Sequence, residues 1–273
     1  MHIRYLGTGS SEGFPGVFCQ CPVCEEARAL GGRNIRRRSS MLIDGALLVD
    51  LPPDLLSQSF EWKIDMGGIH WLLVTHTHAD HFYAPELCNL RSPYTLRSSR
   101  QKLEIFGSGA VWECMERMLG PDELRRLEDV QSFRELKLFE PCNAGPYTIT
   151  PLQARHCPGA FIYLIEKDGR VLLYGNDTGF FPEETWDFLA GRHVDMVSMD
   201  CTNPEHPDTP NHMTLGDNVT VKRRLFQQKS ASARTRYLAT HFSHTSGFLH
   251  RPLEEHLRLY GIGVAYDGLE VEI

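Results

Sequence analysis

Four side chains able to bind a metal ion, His76, His78, Asp80 and His81, fall within one short stretch directly after the apolar run Trp71-Leu-Leu-Val74. A short run of that composition reads as a buried strand, so the cluster stands where a strand ends. A loop leaving a strand can aim alternate imidazoles at one cation while the next carboxylate and imidazole turn toward a second. A surface histidine cluster is the plain alternative, but it accounts for neither the spacing nor the strand before it. Imidazole with carboxylate suits zinc, manganese or iron, and the sequence does not choose among them.

Cys19, Cys21 and Cys24 form a second constellation. They are too close in sequence for comfortable mutual disulfides, yet well spaced to wrap one tetrahedral ion, which would then need a fourth ligand. Packed free thiols are the competing reading. The remaining cysteines, Cys88, Cys114, Cys142, Cys157 and Cys201, lack partner spacing and read as structural. Cys157 adjoins His156, but water activated by a metal makes a thiol nucleophile unnecessary.

These groups need elements to position them. Short apolar runs predict strands over 3–6, 41–49, 71–74, 102–106, 147–152, 161–165, 171–174, 194–199 and 237–239. Helical patterns cover 85–90, 110–119, 182–189, 215–226 and 252–260, with several prolines at first-turn positions. Asp44-Gly45, Asp168-Gly169 and Asp267-Gly268 read as tight hairpins. No proline- or serine-rich linker and no repeat divides the chain, which predicts one layered α/β domain over 1–273. Gly7-Thr-Gly-Ser-Ser-Glu-Gly13 departs from the dinucleotide-binding glycine spacing and reads as a turn after the first strand.

Of the 273 residues, 41% are hydrophobic and 23% charged, which suits a chain with a full buried core. A formal net charge of -7 argues against a surface built to hold a long nucleic acid. The basic stretches 33–38 and 222–224 read as solvated surface. The first residues lack the charged lead and apolar core of a secretory signal, and no run approaches the ~18 apolar residues of a membrane span. A cytoplasmic location with no membrane partner is therefore expected, where thiols stay reduced.

His-x-His-x-Asp-His after a strand is similar to the signature of the metallo-β-lactamase superfamily. That resemblance implies a four-layer αββα sandwich with its metals at one edge. It also implies three further ligands in chain order, and His156, Asp177 and His241 match them, each behind an apolar run. Singly, each reads as a strand-end or turn-capping residue. Together and in order they complete the set. On this resemblance His76, His78 and His156 hold one cation, Asp80, His81 and His241 hold the second, and Asp177 bridges them, with Asp80 also counted as catalytic. Asp80 and His81 match the hydrolytic branch better than the di-iron oxygen-reducing branch.

Within the superfamily, the three-cysteine loop plus a histidine three positions beyond the last catalytic histidine resembles the phosphoribosyl cyclic phosphate phosphodiesterases. The resemblance makes His244 the fourth ligand of a structural zinc. It extends through 197–202 and 210–213, where His212 matches the family's proposed acid; alone, that histidine would read as part of a surface loop. Two departures stand out. The segment 97–134 is longer and more helical than the resemblance implies, and there is no long glycine- and proline-rich arm of the kind that grips tRNA.

The expectation is a phosphodiesterase for a small, five-membered cyclic phosphate of a ribosyl sugar, with two divalent cations, zinc or manganese. Those ions would bring a bound water's pKa toward ~7, giving a bridging hydroxide, while His212 protonates the departing sugar oxygen. A homodimer is the default assembly for such an enzyme. The rivals are a phosphodiesterase for cyclic nucleotides or RNA ends, a thioester, lactone or lactam hydrolase on the same metals, and a metal-dependent binding module that has lost its chemistry.

Overall fold

The structure, a computed structural model, describes residues 1–96, 101–205 and 210–273. Its strands form where apolar side chains are buried on both faces. Met41, Ile43, Leu47 and Val49 enter one hydrophobic cluster while Leu42 and Leu48 enter another, the period of two that a pleated strand imposes. Phe161, Tyr163 and Ile165 alternate with Ile162 and Leu164 in the same way.

The chain first forms β1 (His2–Gly7), β2 (Ser40–Ile43), β3 (Leu47–Val49), β4 (Trp71–Leu73), β5 (Leu103–Gly107) and β6 (Gln131–Glu135). It continues with β7 (Cys142–Ala144), β8 (Tyr147–Gln153), β9 (Phe161–Lys167), β10 (Arg170–Gly175), β11 (Met196–Asp200), β12 (Arg236–Thr240), β13 (Gly263–Val264) and β14 (Glu270–Glu272). These pair into two seven-stranded sheets, ordered β14-β1-β2-β3-β4-β5-β6 and β13-β12-β11-β10-β9-β8-β7. The helices are α1 (Pro22–Leu30), α2 (Leu55–Trp62), α3 (Gly109–Leu127), α4 (Glu183–Leu189), α5 (Leu215–Gln227) and α6 (His250–Arg258).

Tyr5, Phe106, Tyr147, Tyr163 and Tyr174 fill the core between the sheets. The tyrosine hydroxyls need partners when buried: Tyr5 donates to Ser198 Oγ at 2.8 Å and Tyr163 to the Val74 carbonyl, each reaching across to the opposite sheet. Side chains of α3 pack on the outer face of the first sheet, with Leu55 and Trp62 of α2 against the same cluster. Those of α4, α5 and α6 cover the second. The layers are therefore αββα, as the resemblance implies.

Strand direction decides where the site can be. β3 to β6 are mutually parallel, as are β10 to β13. β1 and β8 each lie two antiparallel steps from those sets and so run the same way. Cross-sheet bonds from Phe161 N to Thr75 O and from Ser10 N to Phe242 O hold the carboxyl ends of these strands at one edge, the usual place for a site in such folds.

Several local expectations are corrected. Residues 267 and 268 do not close a hairpin, because β13 and β14 belong to different sheets. The buried Asp267 instead accepts from Thr8 Oγ1 and Arg37 N while the chain crosses the sandwich. Residues 85–90 form a 3₁₀ helix rather than an α-helix. The expected helix 110–119 runs on to Leu127 through a break at Gly120, where Pro121 starts the second piece instead of ending the first. The segment 97–134 thus holds β5, α3 and β6, with 97–100 outside the described residues.

Nor is the stretch 33–38 solvated throughout. Arg36 is 2% exposed, donates to Thr8 Oγ1 and the Ala265 carbonyl, and lies over the Phe242 ring. Burial, together with the Arg36 charge, pushes His250 down to about 4, so its neutral Nδ1 accepts from Arg36 at 3.1 Å.

Gly268 has φ of 88°, and a Cβ there would come within 2.5 Å of the Trp62 ring. Gly268→Ala is therefore expected to destabilise the fold by more than about 1 kcal/mol, read as a lower urea midpoint at unchanged slope.

Candidate metal centre

The loop after β4 is fixed by a carboxylate from the neighbouring strand. Asp50, fully buried at the end of β3, accepts from Thr75 N at 2.8 Å and Thr75 Oγ1 at 2.9 Å through Oδ1. Its Oδ2 accepts from His81 Nδ1 at 2.7 Å. That bond leaves His81 Nε2 as the nitrogen facing the cleft, the usual way a carboxylate orients a ligating imidazole. Thr202 does the same for His241. Its Oγ1 donates to Asp200, so it can accept from His241 Nδ1 at 2.9 Å and leave Nε2 facing inward.

All seven residues singled out for the catalytic metals meet at the shared edge. The candidate ligand atoms of His76, His78, His156 and Asp177 lie within 4.8 Å of one another, and so do those of Asp80, His81, Asp177 and His241. Asp177 Oδ2 is the common point, 3.1 Å from His76 Nε2, 3.0 Å from His81 Nε2, and 3.6 Å from both His156 Nε2 and His241 Nε2.

The donor set fits cations. His156 Nε2 and His78 Nδ1 face each other at 3.0 Å, and the Nε2 atoms of His81 and His241 at 3.3 Å. His76 Nε2 and Asp177 Oδ1 are buried without a well-formed hydrogen bond, a costly arrangement unless an ion takes them up. Burial and the neighbouring His76 hold His78 below its ordinary value. Burial likewise takes His156 to about 4, so both present lone pairs. Burial also opposes charge on His81, but Asp80, Asp50 and Asp177 outweigh it and hold His81 well above the ordinary range. The site calls for positive charge, and a cation can replace that proton.

Backbone strain marks the same residues. Asp50, Asp177 and His241 have φ of 64°, 53° and 63°, a region that costs side-chain-bearing residues free energy and gathers at functional sites.

His212 joins this cluster through Asp200. Its Nδ1 is 2.8 Å from Asp200 Oδ2 and 3.1 Å from Asp177 Oδ1. Asp200, fully buried, also accepts from Thr202 N and Met213 N. Asp50 and Asp200 were not singled out in the sequence. The signal for both was an acidic residue closing an apolar strand, in Leu47-Leu-Val-Asp50 and Val197-Ser-Met-Asp200, where an unpartnered carboxylate has no place.

The second constellation also assembles. Cys19, Cys21, Cys24 and His244 place their candidate ligand atoms within 4.8 Å of one another, with His244 Nδ1 3.6 Å from Cys19 Sγ and 3.7 Å from Cys21 Sγ. Gly16 makes the wrap feasible, since a Cβ there would meet Cys19 at 3.1 Å and His244 at 3.2 Å. Cys21 stands at the N-terminal end of α1, where the Cys24 backbone N–H holds its thiol down at about 6, as helix N-termini do. Burial raises Cys157, which disfavours its thiolate form.

Residues 46–242 match the family described as the beta-lactamase superfamily domain. The chain belongs to the beta-lactamase superfamily. It is 26% identical over 173 residues to a ribonuclease of Thermus thermophilus, covering 60% of this chain and 39% of that one. The fold of this superfamily member superposes on a diphosphatase from the PhnP family with a TM-score of 0.75 at 22% identity, over 100% and 97% of the two chains. Zinc-bound PqqB from Methylobacterium extorquens gives 0.74 at 18% identity over the full length of both. The chain spans about half or less of the length of the curated relatives it matches.

Asp50→Asn is expected to weaken binding at the His/Asp clusters by about 10- to 100-fold, measured by competition with a chromogenic chelator; unchanged affinity would show that Asp50 only braces the loop. Cys21→Ser should remove one equivalent of zinc from purified protein and lower the melting temperature, whereas unchanged stoichiometry in elemental analysis would leave the loop as packed thiols.

Proposed function

We propose that the protein is a metal-dependent phosphodiesterase whose substrate is a small cyclic phosphate of a ribosyl sugar. The observation that supports this best is a histidine held as an acid beside two clusters that share one carboxylate. The ribonuclease and the PhnP-family diphosphatase support phosphoryl substrates. His76, His78, His156 and Asp177 would hold one divalent cation, Asp80, His81, His241 and Asp177 a second, and Cys19, Cys21, Cys24 and His244 a structural zinc. Two such cations, zinc or manganese, supply Lewis-acid activation of water and neutralise charge building on the phosphoryl oxygens.

What the chain itself must provide is a proton for the leaving group. Opening a cyclic phosphate releases an alkoxide, which leaves poorly at neutral pH unless protonated. Burial lowers the His212 pKa, but the Asp200 hydrogen bond and charge, followed by Asp177, outweigh it and bring it to about 9. His212 is thus charged at neutral pH and able to donate. Its side chain keeps 27% exposure at the cleft, within reach of a substrate over the clusters. Asp200 positions the ring and keeps the proton on it, while Asp50 and Thr202 hold His81 and His241 in the orientation that points Nε2 inward.

His212→Ala is expected to cost at least about 100-fold in kcat on a ribosyl cyclic phosphate, the range for general acid catalysis, and far less on a bis-nitrophenyl diester, whose leaving group needs no proton. Equal losses on both would make His212 a phosphate-positioning residue. The acid form is present below its pKa, so turnover of the cyclic phosphate should fall as pH rises through the His212 pKa, which Asp200 raises above the ordinary histidine value. Asp200→Asn should move that limb downward. Faster turnover of a thioester, lactone or lactam than of any diester would overturn the phosphodiesterase reading.

A further inference from the structure

The cleft continues past the His/Asp clusters. The cavity over them, about 470 Å³, shares Glu12 and His244 with a second of about 300 Å³ lined also by Val17, Phe18, Cys19 and Arg38. The wall between the two is polar and ordered. Glu12 accepts from Ser10 Oγ at 2.7 Å, Ser11 Oγ at 3.3 Å and Ser243 Oγ. Ser243 Oγ lies 2.8 Å from Thr245 Oγ1, which donates to Asn203 Oδ1 at 2.9 Å. Arg38 Nε holds the Ser11 carbonyl at 2.8 Å and its Nη1 pairs with Asp54 at 3.3 Å, so this guanidinium braces the wall.

The chemistry of that wall is selective. A carboxylate offers about four acceptor positions; Glu12 uses three for hydroxyls, and its Oε1 also faces His244 Nε2 at 3.8 Å. No lysine or arginine is among the described residues lining the cavity over the clusters. Arg38 lines the second cavity but is committed to the Ser11 carbonyl and Asp54, so a carboxylate with little acceptor room left and no uncommitted arginine beside it suits a neutral hydroxyl group and disfavours a second phosphate. Beyond the wall, Phe18 is 98% exposed and Val17 66%, giving an aromatic face at the second cavity. A ring of that kind stacks on a base whatever its sequence.

We propose that this second cavity is a nucleoside subsite: Glu12 and its serine wall take the sugar hydroxyls, and Phe18 takes the base. This rests on the phosphodiesterase reading alone and not on a cyclic substrate, since it needs a ribose whose hydroxyls are free.

The test compares two diesters with one leaving group, uridine 5′-(p-nitrophenyl phosphate) and methyl p-nitrophenyl phosphate, on the metal-loaded full chain. The uridine ester should be preferred in kcat/KM by about tenfold or more, and Phe18→Ala should cut that ratio by about fivefold or more. Glu12→Gln should cut the preference for the uridine ester over its 2′,3′-dideoxy analogue by a similar factor. Phe226→Ala, on α5 and 62% exposed, should keep both ratios. A wild type without preference overturns the proposal, as does Phe18→Ala with the ratio kept, including the case in which its sedimentation shifts and Phe18 proves to be a subunit contact. If neither ester is turned over, the phosphodiesterase reading falls separately, and uridine 5′-monophosphate binding decides the subsite. A Kd raised about fivefold by Phe18→Ala supports it, and an unchanged Kd overturns it.

Discussion

One carboxylate oxygen, Asp177 Oδ2, lies within 3.6 Å of Nε2 on four histidines. Nothing else at this edge makes sense without it. Four imidazoles brought that close repel one another if charged and waste their lone pairs if neutral, so the arrangement needs either a shared anion with protons or a shared anion with metal ions. The rest of the structure can be seen as the means of getting that oxygen and those nitrogens into one place. Parallel strands bring their carboxyl ends to a single edge, Asp50 and Thr202 lock two of the rings, and Asp177 and His241 accept left-handed backbone where their side chains line the cleft, as does Asp50 behind it. Such strain persists only where the surroundings over-determine it.

Much of this was legible in the chain itself, and for physical reasons. His76, His78, Asp80 and His81 were visible because their spacing follows a buried strand. The strands were visible because both faces are covered, which leaves dense apolar runs. What escaped notice had weaker local signals. β6, Gln131–Glu135, is an edge strand with mostly polar residues. α1 begins inside the cysteine cluster, whose spacing reads as a loop, and α2 buries only Gln58, which leaves no apolar stripe to see. Gly120-Pro121 gave the punctuation of a helix end, yet the chain resumes its helix directly beyond it.

Long-range partners were hidden for a different reason. Asp50 and Asp200 act on His81 and His212, 31 and 12 residues away in the chain, and only the fold brings them together. Arg36 reads as solvated because three neighbouring arginines surround it in sequence, whereas its buried contacts, apart from Thr8, come from residues 242, 250 and 265. A charge at such depth is tolerated because Thr8, a carbonyl and the neutral His250 accept from its two Nη atoms and Asp267 supplies opposite charge, and a missing partner would cost several kcal/mol.

The strand order bears on how the molecule holds together. Apart from β14, every strand pairs only with its neighbours in the chain: β1 to β6 make one sheet and β7 to β13 the other. Each half is therefore a local unit of the kind that forms and opens cooperatively. The donor groups do not respect that division. His76 and His78 come from the first half and His156 and Asp177 from the second; Asp80 and His81 face Asp177 and His241; the three cysteines face His244. Ions held at these places would act as rivets between the halves, tying their docking to metal supply. Removing them with a chelator would then loosen the seam between two sheets that each remain intact, so that protection from hydrogen exchange fades along the sheet-to-sheet contact before it fades within either sheet.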